Sequence, residues 1–467
     1  MPGPTTPPGR RALLAGWGRA TPSAADVIEV DPARLADAVK DLPARGGIAR
    51  GLGRSYGDPA QNSGGHVLRL APTNEQIVID DRAGTVTAGA GVSLDDLLAI
   101  IVPRGWFVPV TPGTRFVTVG GAIASDIHGK NHHADGSFGN QVLRMSVMLA
   151  DTTVVELAPD AAPGNDHELF WATVGGMGLT GMIVDATFRL IPVETSRMSV
   201  ETRRIGHLDE VMSRMSESDA DCRYSVAWLD LLAGRRQLGR GVLTNAEHAV
   251  QHELDARSAG DPLGYDGKQL VSLPPVVPAA GVINRLSVMA FNEAWYRKAP
   301  VERHGDLQSI PAYFHPLDLV GDWNRVYGRR GFLQYQFVVP FGAEHVLRTV
   351  IERISAAKLP IFLTVLKRFG AGNRGPLSFP MGGWTLAIDV GTRASGLSEL
   401  LRSLDDLVLD AGGRHYLAKD FHISPHAVRR GYPRLDEWLD IRHRVDPTGV
   451  WTSDLSRRLG LAPSTHH

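Results

Sequence analysis

Three glycine-dense segments are the residues of this 467-residue chain whose types and spacing can do chemistry. The first, Arg50-Gly51-Leu52-Gly53-Arg54-Ser55-Tyr56-Gly57-Asp58, can turn sharply and aim consecutive N–H groups at an anion, the geometry of a phosphate nest. It lacks the G-x-G-x-x-G pattern of a Rossmann dinucleotide loop, and taken alone it also fits a plain tight turn. The second leads from Thr111-Pro112-Gly113-Thr114-Arg115 into Thr118-Val119-Gly120-Gly121-Ala122-Ile123-Ala124-Ser125-Asp126-Ile127-His128-Gly129. The third is Gly175-Gly176-Met177-Gly178-Leu179-Thr180-Gly181. Residues this small let something flat or extended lie against the backbone, and three such clusters fit a long cofactor better than one phosphate. His132 and His133 have no carboxylate or cysteine cluster at ligand spacing, so no metal is expected.

The elements that must position these residues change character along the chain. The first two hundred residues read as short strands between glycine turns: Val67–Leu70, Ile77–Ile79, Thr85–Ala88 and Met182–Leu190. Ser93 and Asp166 announce two helices. Later, Phe332–Val339, a helical face from Val346 to Ile354, Ile361–Leu366, Trp384–Val390, a helix from Leu397 to Val408 and His415–Ala418 give a β-α-β-β-α-β order, and hence an antiparallel sheet with helices on one face. Residues 260–284 and 299–331 show no clear period, yet they carry apolar side chains. We read them as a lid over a greasy substrate, against the alternative of well-packed loops.

Composition excludes several classes. A net charge of −1 gives no global basic field for nucleic acid, and the single Cys222 excludes an intramolecular disulfide. No apolar run approaches the ~20 residues of a membrane span. Arg10-Arg11 and the short apolar stretch after them are read as the end of a flexible leader reaching a packed Trp17, rather than as a signal peptide. A cytoplasmic or envelope-associated protein is expected.

The order RGLGRSYGD, PGTR…TVGGAIASDIHG and LFWATVGGMGLTG resembles the FAD-binding domain of the vanillyl-alcohol oxidase family. Further segments, His128–His133, Trp295–Lys298, His315–Asp318, Phe332–Phe337 and Tyr416–Asp420, are similar to the actinobacterial branch that acts on polyprenylphosphoryl ribose; the likeness runs from Trp17 to Leu459. The resemblance implies an α+β, two-domain flavoprotein. Its FAD-binding domain would span 1–195, a substrate domain with an antiparallel sheet 196–412, and a segment 413–467 returning to the FAD domain. It implies FAD contacts at Gly51 to Gly57, Gly113, Thr118, Val119, Gly120, Gly121, Ser125, Asp126, Ile127, His128, Ile183 and Tyr416. Many members attach the flavin to a loop histidine; Ser55-Tyr56 stand there, so FAD is expected to be non-covalent.

For catalysis the resemblance singles out Lys419, Lys367 and His128, a lysine serving either as base or as a cation beside reduced flavin or a substrate phosphate. The substrate pocket would take in Gly129, Lys130, Trp228, Gln334, Gln336, Thr385 and Ala387, although Trp228 reads most simply as a core aromatic. Relatives carry cysteine, asparagine, serine and tyrosine where this chain has Ala387, Thr385, Val226 and Phe314, which puts the exact sugar in question. The implied reaction is oxidation of the C2 hydroxyl of decaprenylphosphoryl ribose to the 2-keto sugar, in arabinan and cell-wall synthesis. An NAD(P)H-dependent keto-reductase would complete the epimerisation, and peripheral membrane contact is compatible with a lipid-linked sugar phosphate. The alternatives are an alditol or aldonolactone oxidase using oxygen, and a non-catalytic flavin-binding paralogue.

Overall fold

A computed structural model describes residues 9–71, 77–274, 278 and 281–462. The N-terminal part holds β1 (Arg10–Leu14), β2 (Ser23–Val30), β3 (Gly47–Ala49) and β4 (His66–Leu70) in a sheet of order β1-β2-β4-β3. A second, antiparallel sheet contains β5 (Ile77–Asp80), β6 (Thr85–Gly89), β7 (Val142–Met148), β8 (Val154–Leu157) and β9 (Met182–Arg189) in the order β5-β6-β9-β7-β8. Helices α1 (Leu94–Ile101) and α2 (Val119–Ala124) start on Ser93 and Thr118, whose hydroxyls accept the N–H of Asp96 and Gly121 and so satisfy donors that a helix start leaves free.

The remaining strands form one antiparallel sheet of eight. They are β10 (Arg197–Ile205), β11 (Tyr224–Leu229), β12 (Gly241–His248), β13 (Glu302–Ser309), β14 (Phe332–Pro340), β15 (Thr364–Phe369), β16 (Gly383–Gly391) and β17 (Arg414–His415). Their order is β13-β10-β12-β11-β15-β16-β14-β17. Period-two alternation divides its faces. Leu333, Tyr335, Phe337, Leu366, Leu386 and Ile388 point into a core closed by α3 (Leu208–Ser218), α5 (Glu344–Ala357) and α6 (Leu397–Asp410); α4 (Arg285–Lys298) lies outside it. Their neighbours Gln334, Gln336, Val365, Lys367 and Ala387 face a cavity on the other side. The fold is α+β.

A larger core joins residues from the first two hundred positions to residues between Leu409 and Leu461. The chain thus returns after the eight-stranded sheet. Trp438 Nε1 donates to the Ala172 carbonyl at 2.9 Å and Arg442 Nε to the Leu179 carbonyl at 3.1 Å, pinning the helix Leu435–Val445 to the third glycine segment.

Several local expectations need correcting. Residues 299–331 are not a loop: they contain β13, the short helix Ile310–Phe314 and a strand at Val320–Gly321. The strand was invisible because β13 is a sheet edge with the charged sequence ERHGDLQS, which shows no apolar alternation. Within 260–284, Val271–Ser272 pairs with that same Val320–Gly321, while positions 275–277 and 279–280 lie outside the described residues. Arg10-Arg11 begin the edge strand β1 rather than ending a flexible leader. The last strand stops at His415, and Tyr416 to Lys419 form a turn closed by Lys419 N–H on the Tyr416 carbonyl. Among the described residues no helix is long and apolar enough to cross a membrane.

Candidate active site

The glycine segments face the eight-stranded sheet across a cavity of ≈ 850 Å³. Of the site residues singled out by sequence, all but Gly57, Val119, Asp126 and Thr385 line it. Those four face inward for identifiable reasons. Val119 is the core side of α2, and a Cβ on Gly57 would stand 1.8 Å from the Asp420 carbonyl. The Asp126 carboxylate is buried and accepts from Ser137, Asn373, Ser378 and the Gly139 N–H, all within 2.9 Å, so it ties loops together. Thr385 donates to the Phe337 carbonyl at 2.8 Å and accepts from Gln336 at 3.3 Å. Trp228 belongs to the cavity face, not a core; its Nε1 donates to the Phe362 carbonyl at 2.9 Å.

Four basic groups converge at one end. Gln336 Nε2 meets His128 Nε2 at 3.0 Å, and Lys367 Nζ lies 3.4 Å from both His128 Nδ1 and the Gly129 carbonyl. Lys130 donates to the Tyr313 carbonyl, with its Nζ 3.8 Å from the Tyr313 ring centroid. Lys419 sits 3.9 Å over the Tyr56 ring. Each lysine keeps a little surface toward the cavity and is otherwise surrounded by protein. Burial, then Lys367, brings Lys130 down to about 7; burial, then Lys419, brings Lys367 to about 7. Burial lowers Lys419 while Asp389 pulls back, leaving it about 8. Burial and then Lys367 hold His128 well below its ordinary range, so its ring is neutral. With one ring proton, a His128 that accepts from Gln336 at Nε2 donates at Nδ1, which makes Lys367 its acceptor in the unprotonated form.

The other end fits a dinucleotide. Gly53 has φ +66°, a conformation that favours glycine, and a Cβ on Gly113 would meet no protein atom within 4 Å, projecting into the cavity. The Arg54 guanidinium lies 3.9 Å over Trp17, and its buried Nε has no hydrogen-bond partner among the described residues, a donor available to a diphosphate. Tyr416, which donates to the Ser125 carbonyl at 2.7 Å and stacks on Phe379 at 4.6 Å, walls the centre. These groups suit FAD: the glycine loop and Arg54 would hold its diphosphate, and Tyr416 and His128 would line the space for its flat ring. Sequence reasoning missed Asp389, which period-two spacing puts on the same face of β16 as the cavity-lining Ala387 and which is itself buried beside the cavity, and Phe291, paired with Trp295 at helical i,i+4 spacing.

FAD binding domains match residues 25–158, and the D-arabinono-1,4-lactone oxidase family matches residues 332–459. The chain belongs to the FAD-dependent oxidoreductases of the vanillyl-alcohol oxidase type, and FAD is its cofactor. It is 46% identical over 453 residues to decaprenylphosphoryl-beta-D-ribose oxidase of Mycolicibacterium smegmatis, covering 96% of this chain and 97% of that protein. An uncharacterized protein in the mprA 5′ region of Streptomyces coelicolor is 39% identical over 379 residues, 79% of this chain and all of that one. Alditol oxidase of a Streptomyces species is 22% identical over 442 residues, 92% and 95% of the two chains.

Proposed function

We propose that this enzyme oxidises the C2 hydroxyl of a polyprenylphosphoryl ribose to the 2-keto sugar, the first half of epimerisation to the arabinose lipid. The observation that carries the reading is the polarity of the cavity. Three lysines stand at one end, suited to an anionic sugar phosphate. Phe291 and Trp295, stacked at 6.0 Å and still 45% and 46% exposed, stand in its mouth, suited to an isoprenoid chain. The 46% identical relative supports the same substrate.

Bound FAD supplies the hydride acceptor. The protein's part is to hold the sugar and move one proton. Lys419, the least acidified of the three lysines, takes the hydroxyl proton; Lys130 and Lys367 hold the phosphate; neutral His128, fixed by Gln336, orients the ring hydroxyls. Lys419 acting only as a cation remains the second assignment. FAD is held without a covalent bond, and a separate NAD(P)H-dependent reductase consumes the ketone. The apolar mouth would meet a bilayer surface during substrate capture. Anaerobic mixing with farnesylphosphoryl ribose should bleach the flavin, and free alditols should not. Bleaching by an alditol with peroxide formed in air, and none by the sugar lipid, would overturn the assignment.

A further inference from the structure

Thr385, Ala387 and Asp389 alternate along one face of β16, and of the three Ala387 lines the cavity while Thr385 and Asp389 are buried on either side of it. Asp389 is fully buried. Gln334, opposite it on β14, donates to Oδ1 at 2.6 Å, and Oδ2 has no hydrogen-bond partner among the described residues. A carboxylate buried with half its acceptors idle is costly unless an opposite charge compensates. An amide at this position would tie β14 to β16 equally well without a charge, so the charge has another use. The antiparallel pairing of β14 with β17 continues past His415, with the Tyr416 N–H donating to the Gln336 carbonyl at 3.1 Å, so the turn that carries Lys419 runs alongside the stretch of β14 that holds Gln334 and, through it, Asp389. Burial raises the Asp389 carboxyl to about 7 against the Gln334 bond and the Lys419 charge, and Asp389 in turn is the group that favours protonated Lys419 against its burial. The other groups around the pair are cationic or neutral: Lys367 on β15, His128 after α2, Tyr56 in the first glycine segment and Tyr327.

We propose that Asp389 is a positioning residue for the oxidation: its carboxylate, oriented by Gln334, is the counter-charge against which Lys419 takes up the substrate's hydroxyl proton. This rests on Lys419 being the base. In the step, the O–H bond breaks and its proton goes to Lys419 Nζ. The carbinol C–H leaves with both electrons as hydride to the oxidised flavin, and the C–O bond becomes C=O. Asp389 exchanges no atom; it stabilises the ammonium that forms. Burial pushes Lys419 toward the neutral form and Asp389 opposes it, so without Asp389 the lysine would be a weaker base.

Two readouts on the FAD-loaded enzyme test this. The chain has seven lysines, so reductive ¹³C-methylation gives a simple spectrum in which Lys419 is identified by its loss in Lys419→Arg. In Asp389→Asn its titration midpoint should fall by about one pH unit, a tenfold loss of proton affinity, while Asp389→Glu keeps it. The pH at which substrate-driven flavin reduction is half-maximal should fall by the same amount, and the plateau rate should fall about tenfold. If Asp389→Asn loses FAD, Gln334→Leu, which removes the bond favouring the carboxylate, should move both midpoints in the same direction. An unmoved Lys419 signal overturns the pairing whatever the sugar, and a moved signal with an unmoved reduction profile overturns the role in proton transfer. A wild-type flavin that no sugar lipid reduces counts against the substrate, and the methyl titration still decides on Asp389.

Discussion

At the scale of single residues, the site is a balance between burial and charge. Lys419 is carried on the turn that follows β17 and rests on Tyr56, with its Nζ at the cavity. We predict that Lys419→Ala slows substrate-driven flavin reduction by about 10²- to 10⁴-fold, the usual worth of a general base, while FAD stays bound. Stopped-flow absorbance checks the rate and the protein-to-flavin ratio checks the binding; near-normal reduction would remove Lys419 from the mechanism. The first glycine segment has Ser55 and Tyr56 and no histidine. Acid precipitation should therefore release all the FAD into the supernatant, and a yellow pellet would show a covalent link.

At the scale of elements, the turn 416–422 is held by an ion-pair network from three directions. His422 lies 3.3 Å from Asp405 of α6 and 3.1 Å from Asp420; Arg458 of the helix Asp454–Arg458 reaches Asp420 at 3.0 Å and Asp58, the last residue of the first glycine segment, at 2.8 Å. Burial opposes the charge on His422, but hydrogen bonds and charges from Asp405 and Asp420 outweigh it and push the group from 6.5 up to about 9. A folded-state value above the unfolded one stabilises fully below about pH 6.5, and the contribution is lost as pH rises through 9. At full strength it is on the order of 3 kcal/mol. We predict that thermal stability of the wild type declines between pH 6.5 and 9 and that His422→Gln is less stable at pH 6 with a flatter profile in that window. Parallel curves for the two proteins would show that the network contributes nothing.

At the scale of the whole molecule, one sheet separates a dry core from a catalytic cavity, and α4 guards the mouth while burying only Val288 and Asn292 of its fourteen residues. A helix held by so narrow a stripe, with Leu286 at 78% exposure beside Phe291 and Trp295, leaves apolar surface for a ligand to cover. We predict that Trp295→Ser raises KM several-fold for a long-chain sugar lipid and leaves the limiting reduction rate within about twofold, because it removes binding that substrate and transition state share. A fall in the limiting rate at unchanged KM would place Trp295 in the chemistry instead.

The amino-acid sequence by itself determined the order of helices and strands from Phe332 to His415, with helices on one face of an antiparallel sheet, and the small residues of the three loops; the α+β flavoprotein class came from its resemblance to a family. The order and the loops follow from local rules: apolar period, capping side chains and the backbone freedom of glycine, all readable within a few residues. It also marked Lys419, Lys367 and His128 as chemical groups, but not their states. Those depend on distances between residues hundreds of positions apart, such as the 3.4 Å from Lys367 to His128. The edge strand β13 escaped notice because a charged edge has no periodic signal. Asp389 escaped because a single acidic residue in an apolar strand resembles any other until the sheet puts Gln334 opposite it and the chain's return brings Lys419 beside it. Proton affinity is a property of surroundings, and only the tertiary structure supplies those.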